Sequence, residues 1–190
     1  MNYIFTQNWF NNSEIKRLLQ KYIKKENKYN ILEIGCYEGQ SSCYFSDNLL
    51  NHNESTMDCV DPFLIIDTND HASLLLNNQE YNFDNNISNS KNYNKITIHK
   101  ITSDEFFINN KKTYNFIYID GSHDIEFIKR DMENSFKVLD KDGIMWLDDY
   151  GGGPSDPNKK CKIPMDNFLS KYYGLYTIIH KGYQLAIIKL

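Results

Sequence analysis

Residues 31–42 read ILEIGCYEGQSS, and this stretch decides the fold. The apolar run Tyr29–Ile34 is too short for a helix and fits a buried strand. Gly35 stops it. Gly35 and Gly39 permit a tight turn and the close approach of a ligand to the backbone. Ser41 then opens a helix over Ser41–Leu50, whose first free N–H groups favour an anion. The loop has no GK[ST] and is therefore not a Walker A sequence. Counted from Gly35, Tyr37 and Gln40 stand where the second and third glycines of GxGxxG would fall, which argues against a dinucleotide.

Outward from this unit, strand and helix alternate. Upstream, Asn12 and Ser13 can cap a helix from Glu14 to Lys25 that carries Ile15, Leu18, Leu19 and Tyr22 on one face. Downstream, Met57–Val60 is a strand ending at Asp61 and Pro62. Helices are expected around His71–Asn77 and Gln79–Ile87, then an alternating strand over Lys95–Ile101 and a short helix over Ser103–Ile108. Asn115–Ile119 is an apolar strand that stops at Asp120. Asp124–Leu139 is the clearest helix, with Ile125, Ile128, Met132, Phe136 and Leu139 at three- and four-residue steps and Ser122 as a candidate cap. A turn at Lys141–Gly143 leads to strand Ile144–Leu147, ending at Asp148 and Asp149. After a Gly- and Pro-rich loop over Gly151–Asn158 come a helix over Ile163–Tyr172 and a hairpin of Tyr176–Ile179 and Gln184–Lys189, turning at Lys181 and Gly182.

Alternating units of this kind predict an α/β, Rossmann-like, doubly wound fold: a mostly parallel seven-stranded sheet with a C-terminal antiparallel hairpin. Its 190 residues suit one domain, with an N-terminal helical segment over 1–28 and the core over 29–190.

In such a sheet ligands bind beyond the carboxyl ends of the strands. Those ends carry Glu33 and Gly35, Asp61, Ser103, Asp120, and Asp148 with Asp149. Four of the five bear acids. Asp61 is placed to accept hydrogen bonds from both hydroxyls of a ribose, or to cap the turn before Pro62. Loop and acid together point to a nucleoside with a small charged group rather than a pyrophosphate.

Composition narrows the partners. The chain holds 24 Asn and 22 Ile but two Ala and two Arg, a bias that A/T-rich coding explains without a functional role. Asn clusters only at Asn77–Asn94. The net charge of −4 argues against a nucleic-acid surface. No apolar run is long enough to cross a bilayer, and the first residues, MNYIFTQNWF, do not resemble a secretory signal. Cys36, Cys43, Cys59 and Cys161 have no metal-site spacing and read as buried thiols of an intracellular, cytoplasmic protein.

With these residues in place, the chain resembles a class I S-adenosylmethionine-dependent methyltransferase. Within that superfamily it is most similar to the metal-dependent small-molecule O-methyltransferases, including the catechol group and those acting on macrolide and aminocoumarin sugars. Glu33-x-Gly35-x-Tyr37-x-Gly39-x-Ser41 matches the first motif. YIDGSHDIEFIKRDMENSFKVLDKDGIMWLDDY, residues 118–150, resembles the central block. The resemblance implies that Glu33, Gly35, Tyr37, Gly39 and Ser41 surround the methionine end of the cofactor, with Ser41 near its carboxylate and Asp61 on the ribose. It also places Asp120 beside the cofactor, and Ser103 and Asp104 at the adenine.

Asp120, Asp148 and Asp149 offer hard oxygen ligands at two neighbouring strand ends, which suits Mg²⁺ or Mn²⁺. In an extended strand Asp148 and Asp149 would point to opposite faces, so both reach one ion only if the chain turns there. The resembling families place a catalytic base at His123, close to Asp120, and a histidine titrates in the right range for that work. The acceptor implied is a small-molecule hydroxyl, with a sugar favoured over a catechol. A homodimer is compatible with this reading. A metal-independent methyltransferase and a non-catalytic cofactor-binding module are the alternatives.

Overall fold

The computed structural model describes residues 2–64, 78–152 and 160–190. Its centre is a seven-stranded sheet built from β1 (Asn30–Ile34), β2 (Thr56–Val60), β3 (Ile96–His99), β4 (Tyr114–Ile119), β5 (Leu139–Leu147), β6 (Tyr176–Lys181) and β7 (Leu185–Lys189). The strand order is β3-β2-β1-β4-β5-β7-β6. The first five strands run parallel, and β7 pairs antiparallel with both β5 and β6. This is the mostly parallel Rossmann-like sheet with a terminal hairpin that the alternation predicts.

The helices are α1 (Glu14–Leu18), α2 (Gln40–Leu49), α3 (Gln79–Ser88), α4 (Ser103–Asn109), α5 (Ile125–Val138) and α6 (Lys162–Lys171). Strand alternation sends successive side chains to opposite layers. Ile31, Met57, Phe116, Tyr118 and Trp146 pack beneath the N-terminal segment, α2 and α3, with Ile15, Phe45 and Phe83. Leu32, Val60, Ile117, Met145 and Leu147 face α4, α5 and α6, with Phe106, Met132 and Phe168. A core with two covered faces explains why these strands read as largely apolar runs, with Glu33 in β1 and Asp58 in β2 as buried exceptions.

Several boundaries differ from the sequence reading. The N-terminal helix tightens into a 3₁₀ turn at Leu19–Lys21 instead of reaching Lys25. Leu18 and Leu19 are both buried there, as the apolar face read from the sequence requires. Ser122 does not cap α5. Asp124 does, its carboxylate accepting the Glu126 N–H at 2.9 Å, while Ser122 accepts from the Asp124 N–H. The Lys141–Gly143 turn lies inside β5 as a bulge, with Asp142 at φ 61° and four residues opposing Asn115 alone. The helix expected at His71–Asn77 and most of the Gly151–Asn158 loop fall outside the described residues.

Candidate active site

The parallel ladders carry the strand-end residues side by side. The Gly35 N–H donates to Val60 O, Asp61 to His99 O, Asp120 to Ile34 O and Asp148 to Ile119 O, each extending its strand by one residue. Order β3-β2-β1-β4-β5 therefore lines up Asp61, the Gly35 loop, Asp120 and Asp148 along one edge.

The loop after β1 is wound tightly, with positive φ at Gly35 (82°), Tyr37 (50°) and Gly39 (80°). Glycine at 35 is demanded by the chain itself, because a Cβ there would lie 2.1 Å from the Asp120 carbonyl oxygen. The close approach expected of a ligand is thus made by the β4 end, which locks the two loops together. Asp61 closes the other side. Its Oδ2 accepts the N–H groups of Cys36 (2.8 Å) and Tyr37 (3.0 Å), and Oδ1 accepts that of Phe63 (2.7 Å). A carboxylate has about four acceptor positions, so one remains for a ligand hydroxyl.

Glu33 is fully buried, and the Ser41 and Ser42 hydroxyls both donate to it. Burial outweighs these bonds and pushes its carboxyl up to about 7. Ser41 thus spends its hydroxyl on Glu33, leaving the start of α2 to offer backbone N–H groups. Ser103, the first residue of α4, donates to Asp131 at 2.5 Å, and Asp104 pairs with Arg130 at 3.0 Å. Asp131, buried at 4% exposure, has its pKa raised to about 7 by that burial.

Asp120, Asp148 and Asp149 meet in a cleft also lined by His123, Cys161 and Met165. The Tyr118 hydroxyl lies beneath, 2.8 Å from Asp148 Oδ2 and 3.1 Å from Asp120 Oδ2. One proton thus serves two carboxylates. The surrounding protein and the charges of Asp148 and Asp149 push Asp120 well up, partly offset by His123 and the Tyr118 hydrogen bond. Asp148 is raised by burial and then by Asp149.

The turn that both acids require is present. Asp149 takes φ 56°, and its N–H folds back onto Asp148 Oδ1 at 2.7 Å. Its carboxylate receives His123 Nε2 at 2.7 Å and the Tyr183 hydroxyl at 2.5 Å. Burial would raise Asp149, but the His123 and Tyr183 bonds overcome it and hold the group below the usual carboxylate range. Because a carboxylate only accepts, His123 donates to Asp149 through Nε2–H.

The donor chemistry fits a divalent cation. Three carboxylates crowd one cleft, and two of them are pushed toward protonation by burial and mutual repulsion, a cost that a cation would relieve. The side chains there whose ligand atoms lie within 4.8 Å of one another are His123, Asp149 and Cys161, a nitrogen, an oxygen and a sulfur donor, while Asp120 and Asp148 line the same cleft outside that group. A second such group, Glu33, Cys36 and Cys59, lies wholly buried under the β1 loop.

Tyr118, Tyr183, Gln184 and Cys161 were not singled out as site residues by the sequence. Tyr118 stands two residues before Asp120 in an apolar strand, where its hydroxyl gives no periodic signal. Tyr183 and Gln184 sit in a hairpin more than thirty residues from the acids they approach. Of the aromatic residues near the N-terminus, Phe10 is core, whereas Trp9 stays half exposed with its ring 5.1 Å from that of Tyr37.

Sheet order, glycine loop and strand-end acids together define a class I S-adenosylmethionine-dependent methyltransferase fold with a plausible metal-coordinating cluster. A family model described as a methyltransferase domain matches residues 32–150, and the chain belongs to that family. Among solved structures it is similar to the O-methyltransferase from Bacillus cereus in complex with SAH, at TM-score 0.67 and 13% identity, covering 93% of this chain and 82% of that one. It is also similar to precorrin-6y C5,15-methyltransferase from Geobacter metallireducens (TM-score 0.66, 12% identity, 98% and 95% covered). A third is an rRNA methylase from Streptococcus thermophilus (TM-score 0.59, 8% identity, 92% and 93% covered). At such identities the likeness is one of fold. No curated protein sequence matches the chain. Among the described residues, no helix is long and apolar enough to cross a membrane.

Proposed function

We propose that the protein is a divalent-metal-assisted O-methyltransferase that moves the methyl group of S-adenosylmethionine to a hydroxyl of a small molecule, a sugar or glycoside being favoured. The observation that carries this reading is the meeting of Asp120, Asp148 and Asp149 beside His123 in one cleft at the strand ends.

Asp120, Asp148 and Asp149 would hold Mg²⁺ or Mn²⁺, and the β1 loop with Asp61 would hold S-adenosylmethionine, Ser103 bordering the adenine. When bound, the cation would lower the pKa of an acceptor hydroxyl, and the cofactor would supply the methyl group. Asp149 orients the imidazole of His123 through Nε2–H. His123 would take the hydroxyl proton as the acceptor oxygen attacks the methyl carbon. The sulfonium sulfur leaves with the bond pair, and the products are a methyl ether and S-adenosylhomocysteine. Ile128 and Met165 line the apolar side of the cleft and exclude water from the reacting groups.

The His123–Asp149 contact favours a second reading, in which this pair is the base of a metal-independent methyltransferase. Chelation separates the two. With acceptor mixtures and labelled cofactor, EDTA abolishes methyl transfer under the first reading and leaves it intact under the second. An inert protein that still binds S-adenosylhomocysteine would mark a cofactor-binding module. The acidic charge supports a small acceptor over a nucleic acid, and the whole chain would act as one catalytic domain in the cytoplasm.

A further inference from the structure

The β6–β7 turn reaches the acid pair at the end of β5 through Tyr183. Tyr183 places its hydroxyl 2.5 Å from Asp149 Oδ1. Gln184, with 0% exposure, points the other way into the protein. Its Oε1 accepts two donors, the Ile15 N–H at 2.6 Å and Trp146 Nε1–H at 3.0 Å. A nitrogen in that position would face two N–H groups, so the amide can be oriented in only one way. Its Nε2 is buried and has no hydrogen-bond partner among the described residues.

The turn itself is built for this approach. A Cβ on Gly152 would lie 2.3 Å from the Tyr183 ring, so only glycine lets the ring lie over the chain just beyond Asp149. The Gly151 N–H bonds Tyr183 O at 2.8 Å. From the other side, Glu14 Oε2 accepts the Gln184 N–H at 2.7 Å and His180 Nε2 at 2.8 Å. The start of α1 and the hairpin thus hold one turn against the acid pair.

We propose that Tyr183 and Gln184 are positioning residues for the metal cluster, Tyr183 fixing Asp149 directly and Gln184 anchoring the turn that carries Tyr183, with α1 bracing Gln184 through Ile15. The inference rests on the reading of Asp148 and Asp149 as metal ligands. Carboxylate ligands need outer partners to set their direction, and loss of such partners typically weakens metal binding 10–100-fold. Neither side chain takes part in the chemistry.

The test is Mn²⁺ affinity, followed by the electron spin resonance of free Mn²⁺, in wild type, Tyr183→Phe, Gln184→Met and the double variant. Metal-free affinity for S-adenosylhomocysteine serves as the control for an intact fold. Each single variant is expected to bind Mn²⁺ about tenfold more weakly with S-adenosylhomocysteine affinity unchanged, and the double variant more weakly still. Tyr183→Phe removes only an oxygen from a half-exposed ring and decides the matter if Gln184→Met fails to fold. Folded variants with wild-type Mn²⁺ affinity overturn the inference while leaving the metal reading standing. A wild type that binds no Mn²⁺ overturns both.

Discussion

The Tyr118 hydroxyl donates to Asp148 from below at 2.8 Å, and the same oxygen lies 3.1 Å from Asp120. A single phenolic proton therefore links the ends of β4 and β5. Tyr118→Phe would leave the two carboxylates facing each other with no donor between them. The expected result is a metal-free protein about 1–3 kcal/mol less stable, with more of that loss recovered on adding Mg²⁺ than wild type gains. Melting curves with and without Mg²⁺ check this, and equal Mg²⁺ shifts in both proteins would contradict it.

His123 is the base only if its loss slows transfer without emptying the cofactor site. His123→Ala is expected to lower methyl transfer roughly 10²–10⁴-fold, with S-adenosylhomocysteine binding within about twofold of wild type. Calorimetry beside a transfer assay separates the two effects.

Gly35 carries the contact between the cofactor loop and β4. Gly35→Ala forces a Cβ to 2.1 Å from the Asp120 carbonyl and places alanine at φ 82°. Strain of this kind costs on the order of 1–3 kcal/mol for the backbone alone, and the collision adds to it. Chemical denaturation should show at least that loss, together with weakened S-adenosylhomocysteine binding.

Glu33 gives stability a pH dependence. Its folded pKa of about 7 lies above the ordinary 4.5, so folded and unfolded chains both hold the proton at low pH. Between about 4.5 and 7 the unfolded chain releases it while the folded chain keeps it. Stability therefore falls as pH rises through that window and levels off above it. Glu33→Gln cannot titrate, and its stability profile from pH 5 to 8 should be flatter than wild type, the difference being on the order of 1–3 kcal/mol. Parallel profiles would show that Glu33 is not held protonated.

The fold was legible because its signals are local. β1 and β4 are buried on both faces and read as apolar runs, and α5 repeats its apolar residues at helical spacing. Asp61, Asp120, Asp148 and Asp149 were found because they end strands, and strand order brings those ends together. The conditional prediction that the chain must turn between Asp148 and Asp149 is met by the left-handed backbone at Asp149. What escaped is non-local. Nothing near Gln184 in the sequence announces that Ile15 and Trp146 will pin its oxygen, and nothing near Tyr118 announces that two carboxylates will share its hydroxyl. The coupling of Gly35 to Asp120 rather than to a ligand likewise depends on β1 and β4 being neighbours.

The central claim, metal-assisted transfer to a hydroxyl, meets its most direct test in methyl transfer from labelled S-adenosylmethionine to a panel of glycosides and small alcohols, before and after EDTA. The account predicts transfer that EDTA abolishes, that Mg²⁺ or Mn²⁺ restores, and that Asp148→Ala lacks. Full transfer without divalent metal, or in Asp148→Ala, would contradict it.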